Sequence, residues 1–159
     1  MGDREFESEK YRGNPLLHWQ SQASTVRTVW NTAITQIAKI MPLGLKNTVL
    51  RALGTDIGEN TAIGLGVQID IFFPEKISIG ENTTIGYGTT ILTHETTQEE
   101  FRKGEVKIGD NVLIGANTTI LPGVEIGDGA KVSANSLVNR DIEEDSFVGG
   151  VPAEKIEEQ

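Results

Sequence analysis

The chain of 159 residues contains no cysteine, so a disulfide framework, a thiolate zinc site and a cysteine nucleophile are excluded. Only two histidines, His18 and His94, are available to bind a metal or carry a proton. Aromatic residues make up 6% of the chain, and no stretch approaches the roughly 18 apolar residues of a membrane-spanning helix. Residues Met1 to Lys10 mix both charges without an apolar centre, unlike a secretory signal. Basic residues are also scarce, 14 against 23 acidic ones, for a net charge of -9. Residues 1 to 53 hold 7 basic and 4 acidic groups, 54 to 101 hold 1 and 8, 102 to 140 hold 5 and 4, and 141 to 159 hold 1 and 7. A nucleic-acid interface needs concentrated cations to displace counterions from phosphates, and no segment supplies them. The grouping Arg102, Lys103 and Lys107, with Arg140 farther on, suits a small anionic ligand or plain solvation. These absences describe one soluble domain of cytoplasmic type.

What the chain has in excess is glycine, 18 residues, and from residue 57 onward the glycines fall into a period of six. Ile57-Gly-Glu-Asn-Thr-Ala is followed by Ile63-Gly-Leu-Gly-Val-Gln, then by Ile79-Gly-Glu-Asn-Thr-Thr and Ile85-Gly-Tyr-Gly-Thr-Thr. Hexads begin at Ile57, Ile63, Ile69, Ile79, Ile85, Ile91, Ile108, Ile114, Ile120, Ile126, Val132 and Val138. Two interruptions, four residues after the Ile69 hexad and eleven after the Ile91 hexad, leave the hexads in threes. Six residues make a short strand and a corner, and Gly or Asn accepts the backbone angles of a corner. Three such sides close a triangular turn, whose aliphatic positions stack about 4.8 Å apart into an interior column. Twelve hexads therefore predict four coils of a parallel β-helix. An antiparallel sandwich would alternate with period two and would not hold a fixed six.

Upstream, Val26, Val29, Trp30, Ala33, Ile34, Ile37, Ile40 and Met41 recur at steps of three and four, which predicts an amphipathic helix over 22–41 stopped by Pro42. A second short helix is expected over about 45–53, ending at Gly54. The expected task of the pair is to cover the open first coil, whose strand edges would otherwise be exposed. A membrane-surface helix is the alternative, disfavoured because Arg27 and Lys39 are the only cations on the first helix. The expected organisation is a mobile start and helical cap over 1–53, coils over 54–146 with an inserted loop 97–107, and a tail over 147–159, with the first 13 residues mobile.

His94 stands in Ile91-Leu-Thr-His-Glu-Thr, at a corner directly before the longer interruption. A corner side chain beside a protruding loop can face a cleft, and imidazole is the side chain best matched to proton transfer near neutral pH. Asp70 precedes it by 24 residues, one coil of 18 plus the four inserted residues plus an offset of two, so both belong to the same side of adjacent coils. Asp70 can orient the imidazole or satisfy backbone donors at the Phe72-Phe73-Pro74 bend. Two histidines are too few for a three-histidine zinc site.

The hexads, the Thr93-His94 pair with its loop, the run Ile120-Leu-Pro-Gly-Val-Glu-Ile-Gly-Asp-Gly-Ala and the closing Gly149-Gly-Val-Pro-Ala together resemble the hexapeptide-repeat, left-handed parallel β-helix acyltransferases, and within them the maltose and galactoside O-acetyltransferases. The resemblance runs from about residue 54 to 156. It implies a left-handed winding, acetyl-CoA as co-substrate, no metal, and a homotrimer with sites between subunits. It assigns His94 as the base that deprotonates an acceptor hydroxyl, with Asp70 and Glu95 as residues that orient it or the substrate. Along the acetyl-CoA path it implies Ala116 and Ala134, then Asn139 and Arg140, with Gly150 and Pro152 at the adenine end. Two departures stand out: Gly64 replaces an acceptor-binding asparagine, and Glu154 replaces an arginine of the tail, with Lys155 beside it as a substitute cation. Rival functions are a serine or N-acetyltransferase of the same fold and a silent β-helical scaffold.

Overall fold

The computed structural model of the chain describes residues 4–156. The strands of its coils are two or three residues long and carry the aliphatic first residue of each hexad, as in Asp56–Ile57, Ala62–Ile63 and Gln68–Ile69. In each of these the preceding residue faces outward and the isoleucine inward, the alternation a pleated strand imposes. Neighbours pair in parallel one turn apart. One sheet holds Ile57, Ile79, Ile108 and Ile126 in register, a second Ile63, Ile85, Ile114 and Val132, and a third Ile69, Ile91, Ile120 and Val138. Stacking buries all twelve to 4% exposure or less, which no single turn could do. Buried threonines at the fifth position spend their hydroxyls on neighbouring carbonyls, Thr61 on Gly80 at 2.6 Å and Thr83 on Gly109 at 2.8 Å.

The repeat runs farther than the hexads. After Val138 the chain takes four residues to Ile142, which bridges in parallel to Ile126, and Val148 then pairs with Val132. Phe147–Gly149 is therefore a strand of the second sheet, and the segment expected as a tail begins inside the sheet. Glu154–Lys155 folds back antiparallel on Val148 and Gly149 and covers that edge.

The glycines divide into two groups. Within the hexads positive φ falls on the fourth position, at Asn60, Asn82, Asn111, Asn117 and Asn135 and at Gly66, Gly88, Gly123 and Gly129, while Gly13, Gly54 and Gly150 take it outside them. Second-position glycines have ordinary angles and are required by the coil stacked beside them: a Cβ on Gly115 would lie 2.3 Å from the backbone nitrogen of Ala134.

Helices α1 (Thr25–Ala38) and α2 (Leu43–Ala52) lie along the open edges of residues 57–71. From α2, Lys46 Nζ donates to the Gly64 carbonyl at 2.5 Å, Asn47 Nδ2 to Thr61 at 2.7 Å and Arg51 Nη2 to Ile57 at 2.8 Å. Next to α1, the Gly66 N–H donates to the Lys39 carbonyl at 2.9 Å, and Asn31 Nδ2 reaches the Ile71 carbonyl at 2.9 Å. Helix α1 does not turn its main apolar stripe inward. The face against the coil is Thr28, Asn31, Thr35 and Ala38, while Val26, Val29, Trp30 and Ile37 point away, each at least half exposed. An edge of unpaired peptide groups is better met by donors and small residues than by isoleucine, which cannot hydrogen-bond.

The mobile start is a second correction. Glu7–Lys10 is a strand, antiparallel to Glu100–Lys103, which in turn pairs with His94–Thr96. The eleven-residue interruption is thus a hairpin widened to three strands by the chain's own beginning. Residues 1–3 of the expected mobile start and 157–159 of the expected tail lie outside the described residues.

Candidate active site

Asp70 ends the strand Gln68–Ile69 and turns the corner. Its Oδ1 accepts the N–H groups of Phe72 at 2.7 Å and Phe73 at 3.3 Å, a local turn of the kind aspartate favours. Its Oδ2 accepts the N–H of Thr93 at 2.9 Å and of His94 at 3.1 Å, and meets His94 Nδ1 at 2.5 Å. Asp70 thus accepts from donors of the bend and contacts the imidazole at once. Its side chain is fully buried, and burial pushes the carboxyl up. The hydrogen bond and charge of His94 and the N–H groups of Thr93 and Phe72 outweigh that and hold it below the usual carboxylate range. An ionised carboxylate only accepts, so Nδ1 of His94 carries a proton, and in the neutral form of the ring Nε2 is the nitrogen with the lone pair.

Three phenylalanines enclose the ring. Phe101, from the hairpin, stacks on it at 5.6 Å and 9°, Phe72 meets it edge-on at 4.6 Å, and Phe73 lies at 6.5 Å. Trp19 stacks on the far side of Phe72 at 5.5 Å. Sequence reading passed over this cage. The available signal was that Phe72 and Phe73 stand in the hexad just before the first interruption and Phe101 lies within the second.

Glu95, expected to orient substrate, is engaged by two arginines: Arg4 at 3.0 Å and Arg102 at 3.3 Å. Burial again raises its carboxyl, but these partners hold it below the ordinary range. Phe6 lies between the same two guanidinium groups, 5.5 Å from that of Arg4 and 5.0 Å from that of Arg102. Glu95 thus ties the chain's start to the hairpin that carries His94, and Arg4 was not foreseen.

The expected acetyl-CoA residues fall on two corners of the triangle. Asn139 and Arg140 follow Val138 at the corner that carries Asp70 and His94. Ala116 and Ala134 stand at the preceding corner, joined by the Asn135 N–H on the Ala116 carbonyl at 2.8 Å. Gly150 and Pro152 continue that second line, with the Gly150 carbonyl on Leu137 N–H at 2.9 Å. Lys155 lies 3.8 Å from Glu143. One chain therefore does not bring Ala116 and Ala134 to His94. A cleft of about 410 Å³ opens instead beyond the hairpin, lined by Lys76, Lys103 and Lys107 together with Glu5, Glu105 and Asp141, without His94. Among the described residues there is no cluster of three or more His, Asp or Glu side chains able to hold a metal, and no helix long and apolar enough to cross a membrane.

Comparison with known proteins gives this geometry its context. Residues 105–140 match the family model described as bacterial transferase hexapeptide (six repeats). Two proteins carrying the name Putative acetyltransferase are similar along most of the chain. YvoF of Bacillus subtilis (strain 168) is 52% identical over 141 residues, covering 87% of this chain and 82% of YvoF. SAR0816 of Staphylococcus aureus (strain MRSA252) is 45% identical over 152 residues, 94% of each chain. Among solved structures, the hexapeptide-repeat acetyltransferase VCA0836 of Vibrio cholerae O1 biovar eltor, complexed with acetyl coenzyme A, superimposes with a TM-score of 0.68 at 23% identity, over 85% of this chain and 90% of that one. A maltose O-acetyltransferase from Clostridium difficile 630 gives 0.59 at 23% identity, over 82% and 85%. At such identities the structures speak for the shared fold alone. With sequence relatedness spanning nearly its whole length and the repeat built as the pairing requires, the chain belongs to the hexapeptide-repeat acetyltransferase family.

Proposed function

We propose that this acetyltransferase transfers the acetyl group of acetyl-CoA directly to the hydroxyl of a small acceptor, with His94 as general base. The observation that carries the proposal is the short contact of His94 Nδ1 with the buried, ionised Asp70, which leaves Nε2 as the basic nitrogen inside an aromatic cage. His94 Nε2 takes the hydroxyl proton as the acceptor oxygen forms its bond to the thioester carbonyl carbon. Backbone N–H groups stabilise the oxyanion, the C–S bond breaks, and the imidazolium returns its proton to the departing thiolate. No covalent enzyme intermediate is required, in keeping with a chain that has no cysteine.

The acetyl-CoA path runs along the corner of Ala116, Ala134, Gly150 and Pro152, with Asn139, Arg140 and Lys155 as further contacts. Because that line and His94 occupy different corners, they form one site when the line of one subunit faces the His94 corner of the next, as three-fold closure allows. We accordingly assign a cytoplasmic homotrimer with three sites, a left-handed winding of four full coils, and α1 with α2 as the cap of the first coil. Fold likeness to acetyltransferases of known structure supports the winding. Gly64, where sugar acetyltransferases carry asparagine, leaves serine and N-acetyl acceptors in the panel to be tried. The test is thiol release from acetyl-CoA with sugars, amino sugars and amino acids. His94→Ala is expected to lower kcat by roughly 10²–10⁴ with the accepted substrate, and equal turnover by both proteins would remove His94 from the role.

A further inference from the structure

Helix α1 is built inside out for a helix that merely covers a core. Its inward face is Thr28, Asn31, Thr35 and Ala38, at 7% exposure or less, and its outward face is apolar. Val26, Trp30, Ala33 and Ile37, with Ile40 on the turn that follows, are spaced 4, 3, 4 and 3 residues apart. That is the a/d spacing of a helix seam, a stripe narrower than the broad face of a helix lying in a lipid surface. Val26 is 81% exposed, Trp30 63%, Ile37 50% and Ile40 82%, and Val29 beside them 64%.

We infer that this seam binds α1 of a second copy, the two helices antiparallel about a two-fold axis near Ala33. Three observations select this occupant. The seam has no ionisable residue, and its neighbour Arg27 is held by Glu75 at 2.8 Å, so facing two copies brings no like charges into contact. Ala33, the one small residue of the seam, lies at its midpoint, where two crossing helices come closest. With each large side chain offering on the order of 100 Å², Val26, Val29, Trp30, Ile37, Ile40 and Leu45 together offer about 600 Å², the upper end of what a monomer normally shows and most of the roughly 800 Å² per partner of a standard interface. A lipid surface fits less well: the polar face that would carry snorkelling cations is turned into the protein, and the chain bears a charge of -9.

The interface lies on α1, next to the strand Gln68–Ile69 at the end of its sheet. If the three-fold closure proposed above holds, two trimers join base to base; if it fails, two monomers do. The experiment is light scattering at micromolar concentration on the native chain and Ile37→Glu, with thermal unfolding as the check on folding. The expected result is a mass halved by the substitution, whatever the starting number of subunits. An unchanged mass overturns the inference. So does native protein that floats with phosphatidylcholine–phosphatidylglycerol vesicles in a manner abolished by Ile37→Glu, since the seam would then face lipid. Should Ile37→Glu fail to fold, Ala33→Cys decides, because the chain has no other cysteine. Mild oxidation is expected to give a covalent dimer, and a product that stays monomeric overturns the two-fold contact.

Discussion

Asp70 is satisfied by five contacts through two oxygens, and that density explains how a fully buried carboxyl stays ionised. Its folded pKa is lowered, so between that value and about 3.9 the unfolded chain binds more protons than the native one. The stability Asp70 contributes is therefore fully present above the unfolded value and is lost as pH falls through the folded value. In an acid titration of native protein against Asp70→Asn, the native protein should be the more stable at pH 7, with the gap closing below about pH 4. A gap that persists at low pH would mean that the ionised form is not what matters. On the proposed mechanism, in which Asp70 serves the ring of His94, Asp70→Asn should lower kcat far more than it raises KM. Sequence arithmetic put the two residues on one side of adjacent coils. It could not say that the carboxylate serves bend and ring together, because that depends on which atoms point inward.

At the scale of elements, the hexad glycines and the hairpin behave differently. Gly115 stands where a Cβ would meet the Ala134 backbone at 2.3 Å, so Gly115→Ala should destabilise by about 1–3 kcal/mol, the usual range for overpacking. Gly44 sits in the first turn of α2 with open space around it, and Gly44→Ala should stabilise by about 0.4–1 kcal/mol through the unfolded chain. Denaturant melts of the two variants should move in opposite directions, and a common direction would contradict the stacking account. The hairpin depends on the chain's start. Arg4→Ala should speed amide exchange across Glu100–Lys103, because it removes the link between Glu95 and the strand Glu7–Lys10. Unchanged protection would show that backbone pairing alone holds that strand. A run of mixed charge gives no periodic signal for a strand, which is why residues 4–10 read as mobile in the sequence.

At the scale of the whole molecule, the decisive feature is that His94 and the line Ala116, Ala134 and Gly150 stand on separate corners. If each site takes one corner from each of two subunits, then His94→Ala and Ala134→Trp, inactive singly, should regain activity when co-expressed. Random mixing in a trimer would restore about a quarter of the native rate. Mixed oligomers without activity would place each site within one chain.

What the sequence determined by itself is the part governed by a local repeat. A period of six with an aliphatic first residue fixes strand, corner and column, because each coil needs only the coil beside it to bury its isoleucines. The repeat also put Asp70 and His94 on the same side of adjacent coils. The tertiary structure alone decided which face of α1 turns inward, where the chain's start pairs, and which phenylalanines surround the imidazole. The apolar period of α1 gives its seam but not its partner, and here the nearest partner is a sheet edge whose unpaired peptide groups attract Asn31 and its small neighbours. Contacts between segments far apart in the chain depend on such unpaired groups and exposed surfaces. No local pattern of residues encodes them.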